Sequence, residues 1–357
     1  MFALPSSPTR LGASFITLRA MQHLNWKQAP WFKFFIVLVI SFAFYLLARD
    51  THTHRVAKYH DLLAASNSIA HPGGKSRLVQ TLEGNERRYR YTIVARGKFI
   101  EKSGGRHIPA FPPPRGVAST FGGYVLWDMF IPSFTCPFPM YRVGTLADGG
   151  KWVCGLERVM HNRPNCIVYS LGYQTPASSS FEQDVLRSSS GCQVYGFDVN
   201  AMEGAPTTWP WGGIVSDRSR VHFNDFSVAN RTADTYRSLY SVMWEFGHDF
   251  VDILKVDLEG SEFATLVSII ADSEGEPLPF GQLLVKVHIG RSPDMTTVDH
   301  FGQWFEKLEW AGLRPYYFEI SMLDVNTQRA APAVGYWSFM NIRGEHALLD
   351  DGLPEYP

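Results

Sequence analysis

A chain of 357 residues has room for one large domain or two small ones. Hydrophobic residues make up 45% and charged ones 19%, a balance that excludes global disorder. Thirty-three basic against 34 acidic residues leave a formal charge of -1, which argues against a nucleic-acid binder.

The charge is unevenly placed. Before residue 34 stand four basic residues (Arg10, Arg19, Lys27, Lys33) and no acidic one. An apolar run then extends from Trp31 to Ala48, broken only by Lys33 and Ser41. As a helix it is about 27 Å long, close to the hydrocarbon thickness of a bilayer. Lys33 can snorkel to the headgroups, and Trp31 suits the interface. The alternatives are a buried core helix and a cleaved signal peptide, and Leu46 and Ala48 make a poor cleavage site for the latter. We therefore expect a cytosolic tail over 1–30 and a single transmembrane signal-anchor over 31–48, in contact with membrane lipid. Lys and Arg are nearly balanced on the two sides, with Arg19, Lys27 and Lys33 before the run and Arg49, Arg55 and Lys58 after it. The wholly non-acidic tail favours a type II orientation, with the following domain in the lumen of the Golgi or endoplasmic reticulum. Four cysteines and a sequon at Asn230-Arg231-Thr232 are compatible with that compartment.

Residues 49–115 lack a sustained apolar period and close on Pro112-Pro113-Pro114, which reads as a stem or linker. The remainder, 116–357, reads as one domain. Its first part, 120–140, is aromatic enough to pack as a cap. From Cys166 onward, short β-rich runs alternate with helical stretches, the pattern of a parallel sheet covered by helices. Strands are expected at 166–171, 192–197, 220–223, 251–256, 282–288, 315–321 and 336–342. Helices are expected at 180–190, 232–246, 259–272 and 295–311.

In such a sheet, ligands bind beyond the carboxyl ends of the strands near the switch point. The first strand ends Ser170-Leu171-Gly172, where glycine permits close approach of a ligand to the backbone. The second ends in Asp198, which can accept bonds from both hydroxyls of a ribose. Alone, the first is an ordinary turn glycine and the second a solvated carboxylate; together they suggest a nucleotide site. The fourth strand runs into Asp257-Leu258-Glu259-Gly260-Ser261-Glu262. Three carboxylates crowded at the end of a core strand are expensive unless they bind something. Glu262 also has a purely structural reading, at the positive end of a helix dipole.

The cysteines admit two readings. Cys166 and Cys192 open two strands in the same phase, and neighbouring parallel strands lie about 4.8 Å apart, within disulfide reach. Cys136 and Cys154 would form the other pair. The alternative is four buried free thiols.

The run Ile253-Leu254-Lys255-Val256-Asp257-Leu258-Glu259-Gly260-Ser261-Glu262 resembles a segment of FkbM-type S-adenosylmethionine-dependent methyltransferases. Arg142-Val143-Gly144, Asp148-Gly149-Gly150-Lys151-Trp152-Val153-Cys154 and Ser180-Phe181-Glu182 resemble membrane-anchored methyltransferase-like proteins. The resemblance spans roughly 136–342. It implies an α/β class I methyltransferase fold, a Rossmann-like seven-stranded sheet with the last strand antiparallel. It also implies S-adenosylmethionine as cofactor, held by Ser170, Gly172, Glu182, Asp198, Asp225 and Asp257. Two features depart from the pattern. The first loop has one glycine, and Lys286 stands where relatives carry Glu.

Methyl transfer asks the protein for alignment and for a place to put the acceptor's proton. His288 is the first candidate base, with Asp257 and Glu259 as alternatives. The same three groups could hold a divalent cation, but their spacing is not diagnostic and no metal is assigned. The expected activity is methylation of an oxygen or nitrogen acceptor, with a glycan hydroxyl suggested by the compartment. Two other readings remain. One is a secretory glycosyltransferase using Asp198 and Asn200; the other is a methyltransferase-like binding module without cofactor.

Overall fold

Cys166–Leu171 and Val251–Asp257 are buried throughout their length, as strands at the centre of a covered sheet must be. The computed structural model describes residues 76–353, apart from 106, 112–124, 147–148, 163–165, 173–178, 199–217, 230–236 and 329–330. The expected tail, the anchor at 31–48 and the sequon lie outside the described residues. The chain divides into units 1–70 and 71–357, and every described residue belongs to the second. Among the described residues no helix is long and apolar enough to cross a membrane.

In chain order come α1 (Arg77–Lys102), α2 (Leu126–Met129), β1 (Met140–Val143), β2 (Lys151–Cys154) and α3 (Leu156–Asn162). Then follow β3 (Cys166–Leu171), α4 (Ser180–Ser188), β4 (Cys192–Phe197), β5 (Val221–Asn224), α5 (Leu239–Phe246) and β6 (Val251–Asp257). The chain continues through α6 (Glu262–Asp272), β7 (Phe280–His288), α7 (Val298–Trp310), β8 (Leu313–Ile320), α8 (Met322–Gln328) and β9 (Val334–Asn341). β1 and β2 form an antiparallel hairpin. The other seven strands form one sheet in the order β5-β4-β3-β6-β7-β9-β8. All neighbours are parallel except β9, which runs antiparallel to both β7 and β8. The last strand is therefore antiparallel, as expected, and slots in beside β7.

Each face of the sheet has its own core. One packs Leu254, Val256, Leu283 and Val285 against Val242, Phe263, Leu266, Phe301 and Phe305 from α5, α6 and α7. The other packs Val168, Val194, Ile253 and Leu284 against Val153, Val159, Phe181 and Val185 from the hairpin, α3 and α4. The hairpin is fastened by buried polar bonds rather than by area alone. Gln282 Oε1 accepts from the Cys154 amide at 2.9 Å and from the Tyr316 hydroxyl at 2.7 Å. Ser338 Oγ donates to the Trp152 carbonyl at 2.8 Å. Burial raises the Tyr316 hydroxyl pKa well above its ordinary value, so it stays a donor.

Both expected cystine pairs are present, Cys136–Cys154 and Cys166–Cys192, and no described cysteine is free. The second joins residues that are register partners across β3 and β4. Each crosslink limits the unfolded chain, and loops of this length are worth about 3 kcal/mol apiece. Reduction should lower the melting temperature by on the order of 10 °C, followed by thermal scans with and without reductant.

The segment read as a stem differs in structure. Its central part, α1, is a 26-residue helix capped by Ser76 Oγ, which accepts from the Val79 amide. It docks on β8 and α7 through charge. Arg96 makes a bidentate pair with Glu309 at 2.7 and 3.0 Å, and Tyr89 donates to the same carboxylate. Arg314 makes a second bidentate pair with Glu86 at 2.7 and 2.9 Å. Burial, and then Glu309, push the Tyr89 hydroxyl well above its usual pKa. Burial alone would lower the Arg96 pKa, but Glu309 outweighs it and keeps the guanidinium charged. The contact face carries Leu82, Tyr89, Ile93, Phe99 and Ile100, but Asn85, Glu86 and Arg96 are buried among them and break the apolar stripe, which is why it reads as linker. Removing one member of such a buried pair strands the other. Glu309→Ala should therefore cost about 3–5 kcal/mol in chemical denaturation and expose 77–102 to limited proteolysis.

Candidate functional site

The chain leaves β3 for β4 on one side and β6 for β7 on the other, so the switch point lies between β3 and β6. Leu171 and Val256 are register partners, which sets Gly172 opposite Asp257. Gly172 has φ +78°, and a Cβ there would stand 1.9 Å from the Asp257 carbonyl oxygen. Only glycine allows the two strand ends to meet this closely. Its amide donates to the Phe197 carbonyl at 2.9 Å, tying the same point to the end of β4. Asp198 follows directly, nearly buried, its amide donating to the Asn224 carbonyl at 3.0 Å. Gly172, Asp198 and Asp257 thus share one edge of the sheet, as expected. Asp225 lies at that edge too, after β5, with an exposed side chain.

Ser170 and Glu182 take a different place from the one expected. Both are fully buried, and Ser170 Oγ donates to Glu182 Oε1 at 2.5 Å. Lys255 Nζ, also fully buried, pairs with the same oxygen at 2.6 Å. These side chains brace α4 against β3 and β6, beneath the glycine turn. The alternation of β6 gives the reason, since Lys255 and Asp257 point to the same face and Lys255 needs a counter-charge there.

The end of β7 completes the edge. His288 is 2% exposed, with Nε2 3.8 Å from Asp257 Oδ1 and 3.7 Å from Glu259 Oε1. Its Nδ1 stands 3.4 Å from Glu262 Oε1. Glu262 is fully buried at the start of α6 and accepts two backbone bonds. One comes from the Gly260 amide at 2.7 Å and the other from the His288 amide at 2.5 Å. Its role is structural, as one reading of the sequence held, but through those bonds it ties the loop after β6 to the end of β7. Glu259, at φ +55°, is turned back over the loop and ion-pairs with Arg291 through Oε2. Arg291, on a short 3-10 turn after β7, went unremarked in the sequence, where nothing links it to Glu259. Lys286, the departure noted above, is the register partner of Asp257 and lies 5.6 Å from the Tyr336 ring.

A groove between α1 and α7, lined by Ile93, Arg96, Gly97, Phe130, Val298 and Gly302, is the more open concavity. Its charged groups are Glu101, Asp299 and Glu306, with Arg96 committed to Glu309, and the switch point is where this sheet topology places a ligand.

This strand order, with an antiparallel last strand and acidic strand ends around a single glycine, defines a class I methyltransferase, Rossmann-like fold. A family model described as a methyltransferase domain matches residues 113–331, more than half of the chain, and the chain belongs to that family. "Probable methyltransferase-like protein 24" of Homo sapiens is 30% identical over 134 residues, covering 35% of this chain and 33% of that protein. The Rattus norvegicus protein of the same name is 30% identical over 126 residues, covering 35% and 33%. The matched stretch thus spans about a third of the length of these relatives. Among solved structures, a fibrillarin/Nop5p complex is 14% identical over 50% of this chain and 74% of its own, with a TM-score of 0.33. Precorrin-6y C5,15-methyltransferase from Geobacter metallireducens GS-15 is 9% identical over 52% and 84%, with a TM-score of 0.25. The fold assignment rests on the strand order, not on these scores.

The glycine turn is the most constrained point of the edge. Gly172→Ala places a methyl group against a carbonyl oxygen and adds the left-handed backbone cost. It should destabilise the domain by at least about 2 kcal/mol in denaturant titration.

Proposed function

We propose that the chain is an S-adenosylmethionine-dependent methyltransferase whose cofactor lies across the ends of β3, β4 and β6. The observation that carries this reading is the abutment of Gly172 on the Asp257 carbonyl with Asp198 at the neighbouring strand end. The residues present fit the cofactor. Gly172 turns the chain at the switch point where the amino-acid portion would lie, and Asp198 offers a carboxylate for two ribose hydroxyls. Asp225, exposed beyond β5, suits the adenine end. When bound, the cofactor supplies an electrophilic methyl group on a sulfonium centre.

Asp257, Glu259 and His288 face the acceptor. With the cofactor bound, they would receive the proton that the acceptor gives up on taking the methyl group, the cofactor leaving as a neutral thioether. The acceptor's proton moves to His288 Nε2 or to one of the two carboxylates. The FkbM-like Lys255-to-Glu262 segment supports this arrangement, since two of its acidic members, Asp257 and Glu259, lie beside His288.

The same proposal includes a membrane-anchored protein, held in the lipid by 31–48, with its domain in the Golgi or endoplasmic reticulum lumen. A glycan hydroxyl is the acceptor most consistent with that setting. Two cystines support it, because disulfides persist in oxidising compartments. Calorimetric titration of the full chain with S-adenosylmethionine should show micromolar binding that Asp198→Ala weakens at least tenfold. A folded protein that binds none would instead be a binding module without cofactor.

A further inference from the structure

His288 is almost wholly buried, yet neither ring nitrogen has a hydrogen-bond partner among the described residues. Asp257 Oδ1 is likewise buried and unsatisfied. Leaving such groups unpaired costs free energy, and their concentration at one point indicates an occupant. At 3.8 and 3.7 Å, the two carboxylate oxygens are outside hydrogen-bond range of Nε2.

We propose that Asp257, Glu259 and His288 form a divalent cation site at the acceptor end of the crevice. One ligand atom from each lies within 4.8 Å of the others. Ligands about 2.1 Å from a cation in a tetrahedron stand about 3.4 Å apart, so a small contraction closes the site. Surrounding groups hold the three in place. Glu262 anchors the backbone at Gly260 and His288, and its Oε1 stands 3.4 Å from Nδ1, on the side of the ring away from the other two carboxylates. Arg291 takes Glu259 Oε2 and leaves Oε1 facing His288. One imidazole with two carboxylates suits a first-row divalent ion such as Mn2+ better than Ca2+, which takes oxygen ligands alone.

The cation's role rests on the methyl-transfer reading; its binding does not. Three protein ligands leave coordination positions open to an acceptor hydroxyl, whose acidity rises on the metal. The proton then passes to solvent as the oxygen–methyl bond forms and the sulfur–methyl bond breaks, and His288 serves as ligand rather than base.

Electron paramagnetic resonance titration of the full chain with Mn2+ alone reads the site without any reaction. One equivalent should bind, with affinity reduced at least tenfold in His288→Ala and in Glu259→Gln. Glu259 is on a partly exposed loop, so its variant remains informative if His288→Ala fails to fold. The absence of saturable binding by the folded chain overturns the proposal, as does unchanged affinity in Glu259→Gln or in folded His288→Ala. Titrating the same samples with S-adenosylmethionine separates the two ideas. Cofactor binding without Mn2+ binding removes the cation alone, and Mn2+ binding without cofactor binding removes the methyltransferase reading.

Discussion

The contact of Gly172 with the Asp257 carbonyl sets the geometry of everything at the carboxyl edge of the sheet. It fixes how far β3 and β6 can run before turning, and a third strand is drawn in through the bond from Gly172 to Phe197. Asp198 and Asp257 therefore take their places from backbone that this one contact fixes. A larger residue at 172 would part the strands and move both carboxylates.

Beneath that edge the sheet carries unusual internal charge. Lys255, Glu182 and Ser170 form a closed cluster with no exposure, immediately below the turn. Desolvation makes such a pair a poor source of stability, but it fixes the rotation of α4 against the two central strands. On the far side of Asp257, Glu262 does the same for β7 by accepting the His288 amide. The site is thus held from two sides by buried carboxylates that do not themselves face the crevice.

Much of this was legible in the sequence. Central strands buried on both faces are short apolar runs, and the expected 166–171 and 192–197 coincide with β3 and β4. Their identical phase also placed Cys166 beside Cys192. The hairpin had no such signal, because strands of four residues are too short to establish a period. Helix α1 was hidden by the polar and charged residues set within its contact face, and α5 begins at Leu239, later than the pattern suggested. At the candidate site, strand-end position brought Asp198, Asp257 and His288 to one edge of the sheet. Position alone did not separate Glu182, turned inward to a lysine, from residues facing a ligand. Lys255 was the available clue, since a lysine inside an apolar strand needs a partner.

The docking of α1 has a mechanical consequence. Twenty-six residues of helix make a rod about 39 Å long, fixed along its length by two bidentate guanidinium–carboxylate clasps. The chain before Ser76 therefore joins the domain at one end of that rod. Pulling or twisting at that point is passed straight to α7 and β8. The aim of the crevice, relative to the place where the chain enters the domain, is built into the fold.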